Sequence, residues 1–220
     1  MIIDHTHHLY VDRWQHTGVN KFNGAYYYSR EIVKNIIPNV KTDRNWITVN
    51  IPVNNVVPQF DYVGCSHSIV FIHNNLHPEN YEWLKKYDDL VLVCGIPETV
   101  EKVSHLGKAI YLPLSVDVDY VRQFSKPKRK EVAFVGRPSK RGGYDFPDGT
   151  VYLEGMPREE LLSAMAEFRD VFTVGRTAVE ARILRCNVLA YDRRFPDPDR
   201  WKILDNLDAA KILQKKLDAI

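Results

Sequence analysis

Two stretches of this chain combine residue types in an order that suits binding of a phosphorylated ligand. In Val132-Ala-Phe-Val-Gly-Arg-Pro-Ser-Lys-Arg-Gly-Gly143 an apolar run ends in Gly136 and then releases Arg137, Lys140 and Arg141. Gly136 lets backbone approach a ligand closely, Arg137 is able to grip phosphate oxygens with its forked guanidinium, and Lys140 adds a point charge. A basic surface loop accounts for the same residues. The second stretch, Val171-Phe-Thr-Val-Gly-Arg-Thr-Ala-Val-Glu-Ala181, places Gly175, Arg176 and Thr177 where an apolar run gives way to helical spacing. Free N–H groups and the positive end of a helix dipole make such a start an anion site. Thr177-Ala-Val-Glu180 also has the spacing of a capping box, in which Glu180 satisfies only the helix start.

Histidines supply the candidates for proton transfer. Ile69-Val-Phe-Ile-His73 is an apolar run that delivers His73 to its end, where an imidazole near its ordinary pKa would accept a proton from an acceptor hydroxyl. A histidine satisfied in the core explains the position nearly as well. At the N-terminus, Asp4-His-Thr-His-His8 puts His5 and His7 on one face of a strand, a spacing that suggests the metal centre of a hydrolase. Amidohydrolases of that kind need a barrel of roughly 250 residues, more than the 220 present. The expectation is therefore no metal, with Asp4 and His7 lining a cleft as catalytic candidates beside His73. Gly18, Asn20 and Tyr28 belong to a glycine-bounded loop that opens an aromatic helix, and they are the acceptor-side candidates; a tyrosine run there also serves packing.

Elements must hold these residues in place. Short apolar runs bounded by Pro, Gly, Asn or Asp alternate with segments of helical spacing, which implies an α/β fold with parallel sheets. Strands are expected at 1–3, 46–51, 69–72, 90–94, 109–112, 132–135, 151–153, 171–174 and 188–191. Helices are expected at 25–36, 78–86, 97–105, 118–124, 158–167, 179–185 and 199–217. The break at Ser125-Lys-Pro-Lys-Arg-Lys-Glu131 divides the chain into residues 1–125 and 126–220. Each part holds several strand–helix alternations, enough for two small doubly wound sheets facing across a cleft. Ligands of such sheets sit beyond the carboxyl ends of the strands.

Composition narrows the partners. With 45% apolar and 26% charged residues the chain is an ordinary folded protein. Its apolar runs fall far short of the roughly 20 residues that cross a bilayer, and the first residues lack the pattern of a secretory signal. The expectation is a cytoplasmic protein with no membrane partner. Cys65, Cys94 and Cys186 are read as reduced core residues. A formal charge of +2 demands no polyanion by itself, although Lys126-Pro-Lys-Arg-Lys130 adds to the positive charge at mid-chain.

Taken in order, the strand-Gly136-Arg137-x-x-Lys140 segment, Tyr152-Leu-Glu-Gly-Met-Pro-Arg-Glu-Glu-Leu161, Thr173-Val-Gly-Arg-Thr-Ala-Val-Glu-Ala181 and Asn187-Val-Leu-Ala-Tyr-Asp192 resemble the donor-binding domain of GT-B glycosyltransferases of the group 1 (family 4) type. Ala109-Ile-Tyr-Leu-Pro-Leu-Ser-Val-Asp117 resembles the segment that ends the acceptor domain of the same enzymes. The resemblance implies two Rossmann-like domains and transfer of a sugar from a nucleotide-diphosphate sugar, a UDP-sugar foremost. It implies diphosphate contacts for Arg137 and Lys140, and a ribose contact for Glu180. Gly136, Gly175, Arg176 and Thr177 complete the implied donor site, with no cofactor. Where many retaining members carry a second glutamate, eight positions earlier, this chain has Phe172, and the loop before the helix is shortened to Gly175-Arg-Thr177. The stereochemical outcome is thereby open. The small size is similar to that of phage-type enzymes that glycosylate modified bases, so DNA is an acceptor candidate and a host cytoplasm the matching location. The competing readings are a sugar-nucleotide-binding module without turnover and a metal-dependent hydrolase.

Overall fold

A computed structural model describes residues 9–12, 24–50, 66–72 and 78–220. Their contacts divide into two compact units, Met1–Pro113 with Ala209–Ile220, and Leu114–Asp208. Both are mixed α/β. The division falls about a dozen residues before the expected 125/126 boundary, because Val116 bridges in parallel to Asp205 and the Ser115 hydroxyl donates to Asn206 Oδ1 at 2.8 Å. These contacts bind residues 114–118 into the second unit.

The first unit carries a five-stranded parallel sheet of β1 (Leu9–Asp12), β2 (Asn45–Asn50), β3 (Ser68–Ile72), β4 (Leu90–Cys94) and β5 (Lys108–Tyr111), paired in sequence order. Strands β3 and β4 are buried along their whole length, which is why they read as unbroken apolar runs rather than alternating ones. Cys94 lies in this core, and burial pushes its thiol up to about 12. The expected strand at 1–3 lies outside the described residues. Helix α1 (Gly24–Glu31) continues as a π turn over Ile32–Ile36, and the segment Pro78–Lys86 is a 3₁₀ helix. Helix α2 (Pro97–Val103) starts on a proline whose predecessor, Ile96, is extended as proline requires. Because strand order follows the chain, the described part of this sheet has no reversal.

The second unit does reverse. Its parallel sheet runs β7 (Val151–Leu153), β6 (Lys130–Val135), β8 (Phe168–Phe172), β9 (Asn187–Leu189). The chain steps from β6 to β7 in one direction and then returns past β6 to β8. Its helices are α3 (Val118–Arg122), α4 (Arg158–Met165) and α5 (Arg176–Ile183), and α6 (Asn206–Leu217) starts in this unit and passes into the first from Ala209 onward. Parallel crossovers are right-handed, so α4 and α5 cover one face while the opposite step, residues 136–150, lies on the other. That second face is aromatic. Phe134 is in register with Tyr152 and with Phe172, and Phe146 from the crossover packs on all three rings at centroid distances of 5.0–5.9 Å.

The long helix expected at 199–217 is interrupted. Residues Pro198–Arg200 make a short 3₁₀ turn, and α6 begins only at Asn206, where Asp205 Oδ1 accepts from the Leu207 amide at 2.8 Å. Extended pairing of Asp205 with Val116 displaces helix there. Among the described residues no helix is long and apolar enough to cross a membrane.

Candidate functional site at the edge of the second sheet

Where strand order reverses, the loops that leave two neighbouring strands diverge to opposite faces and open a crevice at their carboxyl ends. In this sheet that place lies between β6 and β8. Phe134 and Phe172 are register partners, so Gly136 and Val174 leave adjacent strands at the same level. Neighbouring strands are about 4.8 Å apart. The two sequence stretches thus end side by side.

After β6, Gly136 passes the chain to Arg137 and a 3₁₀ turn over Pro138–Lys140, closed by the Lys140 amide donating to the Arg137 carbonyl at 2.9 Å. A Cβ on Gly136 would lie 2.9 Å from the Phe134 ring. Glycine is required there by the aromatic face, a reason apart from ligand approach. Arg137 and Lys140 are both exposed and have no ion pair among the described residues. Lys140 lies within electrostatic reach of Arg137 and Arg194, with Asp192 the opposing charge; lost hydration first, and then the two guanidinium groups, hold its pKa below the ordinary lysine value. Arg141, by contrast, is committed: it forks onto Glu154 at 2.9 and 2.6 Å and lies 4.2 Å over the Tyr152 ring.

After β8 the buried Thr173 leads through Val174 to Gly175, the N-cap of α5, with φ 69° and ψ −143°. Only glycine occupies that region without strain. It lets α5 begin at Arg176, three residues before the expected start. A Cβ on Gly175 would meet nothing within 4 Å, so that side of the helix start is open. Thr177 is one turn-position inside the helix and does not cap it. The capping-box geometry is therefore not formed, and Glu180 does something else. Its Oε1 receives Arg158 at 2.8 Å and Arg176 at 3.5 Å, with side-chain exposures of 6%, 9% and 12% for the three residues. Arg176 also reaches the Ser115 carbonyl at 3.4 Å. This buried cluster ties α4 to α5 beneath the crevice.

Beyond β9 comes a group that sequence reasoning did not single out. Asp192 and Arg194 form a forked pair at 2.9 and 2.7 Å, which holds the Asp192 carboxyl below the usual carboxylate range. Tyr191 is 7% exposed, and its hydroxyl has no hydrogen-bond partner among the described residues. The signal available in sequence was Tyr-Asp-Arg-Arg directly after an apolar run, parallel to Gly-Arg-x-x-Lys after β6. The mid-chain cluster Lys126-Pro-Lys-Arg-Lys130 has a structural task instead. Lys128 donates to the Ala166 and Leu184 carbonyls at the ends of α4 and α5, at 2.8 and 2.7 Å, and Lys126 and Lys130 pair with Glu167. Cations at helix carboxyl ends are favourable.

In the first unit Tyr28 is buried, 7% exposed, so it packs within that unit's core. Asp4, His7, Gly18, Asn20 and His73 lie outside the described residues, as do His5, His8 and Cys65. Among the described residues no group of three or more His, Cys, Asp or Glu is placed to hold a metal ion. Comparison of the chain with protein-family models, with curated proteins and with solved structures gives no match.

Proposed function

We propose that this chain is a glycosyltransferase of the GT-B kind, which moves a sugar from a nucleotide-diphosphate sugar, a UDP-sugar foremost, to an acceptor hydroxyl. The observation that carries the reading is the coincidence of the β6/β8 reversal with Arg137, Lys140 and the open Gly175 start of α5. A diphosphate seated there meets two cations that have no carboxylate within ion-pair distance among the described residues, together with the amide groups of Gly175, Arg176 and Thr177. Negative charge grows on the leaving diphosphate as the glycosidic bond breaks, and these groups stabilise it without reorganising. Proton removal from the acceptor is assigned to His73, with His7 and Asp4 as further catalytic candidates, and Gly18 and Asn20 as the acceptor-side candidates; Tyr28, buried in the first unit, supports that side by packing. Hydroxymethylated DNA is the macromolecular acceptor to assay first, in a cytoplasmic setting.

Calorimetry with UDP-sugars, followed by transfer of labelled sugar, tests the reading. Charge-assisted hydrogen bonds contribute about 1.5–3 kcal/mol, so Arg137→Ala or Lys140→Ala should weaken donor binding by roughly 10- to 100-fold. Wild-type affinity in both variants would overturn the assignment. One observation favours a second reading, a phosphate-recognising module without turnover: Glu180, expected to hold ribose, is engaged by Arg158 and Arg176. Nucleotide binding without transfer to any acceptor would select it.

A further inference from the structure

The carboxyl edge of the second sheet has more polar equipment than Arg137, Lys140 and a helix start. Residues 136–150 cross the aromatic face and bring Tyr144 within 6.2 Å, centroid to centroid, of Tyr191, while Phe146 lies 5.8 Å from the same ring. Phe134 closes the other side at 5.3 Å. Three rings thus fix the Tyr191 ring, leaving its hydroxyl buried with no partner among the described residues. A buried hydroxyl without a partner is costly, and native proteins retain few of them. Burial pushes the phenol up to about 12, so it stays a neutral donor at any working pH, and Asp192 and Arg194 lie within its electrostatic reach. The same two residues are the ones Lys140 feels. Lys140, Arg194 and the Tyr191 hydroxyl therefore share one neighbourhood at the end of β9.

Arg194 is already oriented there. Its Nε and one terminal nitrogen are spent on Asp192, which fixes the plane of the guanidinium and leaves the other terminal nitrogen for a ligand. Arg137, Lys140 and Arg194 set three cations against the one carboxylate of Asp192, a balance that favours an anion.

We propose that Tyr191, Arg194 and Lys140 form a second phosphoryl subsite at the end of β9, so that this sheet edge takes a diphosphate group rather than a single phosphate. The inference rests on the reading of the edge as an anion site and names residues for its far half. One phosphoryl group sits over Gly136, Arg137 and the start of α5, and the other receives a hydrogen bond from the Tyr191 hydroxyl.

The test is calorimetric titration of the intact protein with inorganic pyrophosphate and with inorganic phosphate. Tyr191→Phe keeps the ring and removes only the hydroxyl. It should weaken pyrophosphate binding about tenfold, leave phosphate binding within twofold, and leave the melting temperature of the ligand-free protein unchanged or higher. Arg194→Gln, at an exposed position, should weaken pyrophosphate binding as well and guards against a folding defect in the first variant. If both variants bind pyrophosphate as the wild type does while Arg137→Ala does not, the subsite is overturned and the donor-site reading stands. Pyrophosphate binding that depends on Tyr191 in a protein that transfers no sugar supports the subsite and removes the transferase reading. Wild-type protein that fails to bind pyrophosphate overturns both.

Discussion

Glu180 shows how one side chain's partners set its task. Its carboxylate is almost fully enclosed and faces the guanidinium groups of Arg158 and Arg176. Removing one partner of a buried ion pair is costly because the other is left as an uncompensated charge. Glu180→Ala should therefore lower the stability of the second unit by about 3–5 kcal/mol, measured as a shift in the denaturant midpoint. Loss of nucleotide affinity with unchanged stability would instead mean that Glu180 acts mainly on the ligand. Spacing alone could not separate these roles. Thr177-Ala-Val-Glu180 fits a capping box, whereas Arg158, 22 residues before Glu180 and separated from it by strand β8 and a loop, becomes the partner only through tertiary packing of α4 on α5.

At the scale of elements, Gly175 decides where α5 begins and hence which amides face the crevice. Its φ of 69° and ψ of −143° are accessible to glycine alone, yet the space around a new Cβ is empty. Gly175→Ala therefore isolates backbone strain from steric clash. The substitution should cost about 1–3 kcal/mol in thermal unfolding, and an unchanged melting temperature would mean that the turn relaxes freely. Elements whose burial is uniform were legible in sequence: β4 falls at 90–94 as its composition requires, and β3 at 68–72, one residue longer than expected. Elements governed by distant contacts were not. The helix expected from 199 is broken by the Val116–Asp205 bridge, a pairing that no local pattern encodes. The candidate site was half legible for a similar reason. Cations directly after an apolar run stand out at Arg137 and Lys140, whereas Tyr191 matters through rings supplied by residues 134, 144 and 146.

At the scale of the whole molecule, the first unit is discontinuous: its sheet comes from the first half of the chain, while Ala209–Ile220 returns to it. The return is well anchored. Ala209, Ala210 and Leu213 are fully buried, and the Gln214 amide bonds the backbone of Lys41 on both sides, at 2.6 and 3.2 Å. Leu213→Ala should cost the first unit about 2–5 kcal/mol, the range for emptying a closed leucine site. Hydrogen exchange at β3 and β4 checks this, since faster exchange is expected there and not in β6 or β8; uniform acceleration across both sheets would contradict it.

That return also sets an order of events during synthesis. Leu114–Asp208 has all its contacts as soon as it leaves the ribosome, whereas the earlier-made strands wait for the last helix. The half encoded first is completed last, and a chain cut after residue 208 would hold every residue of the second unit while the first still lacked its closing helix.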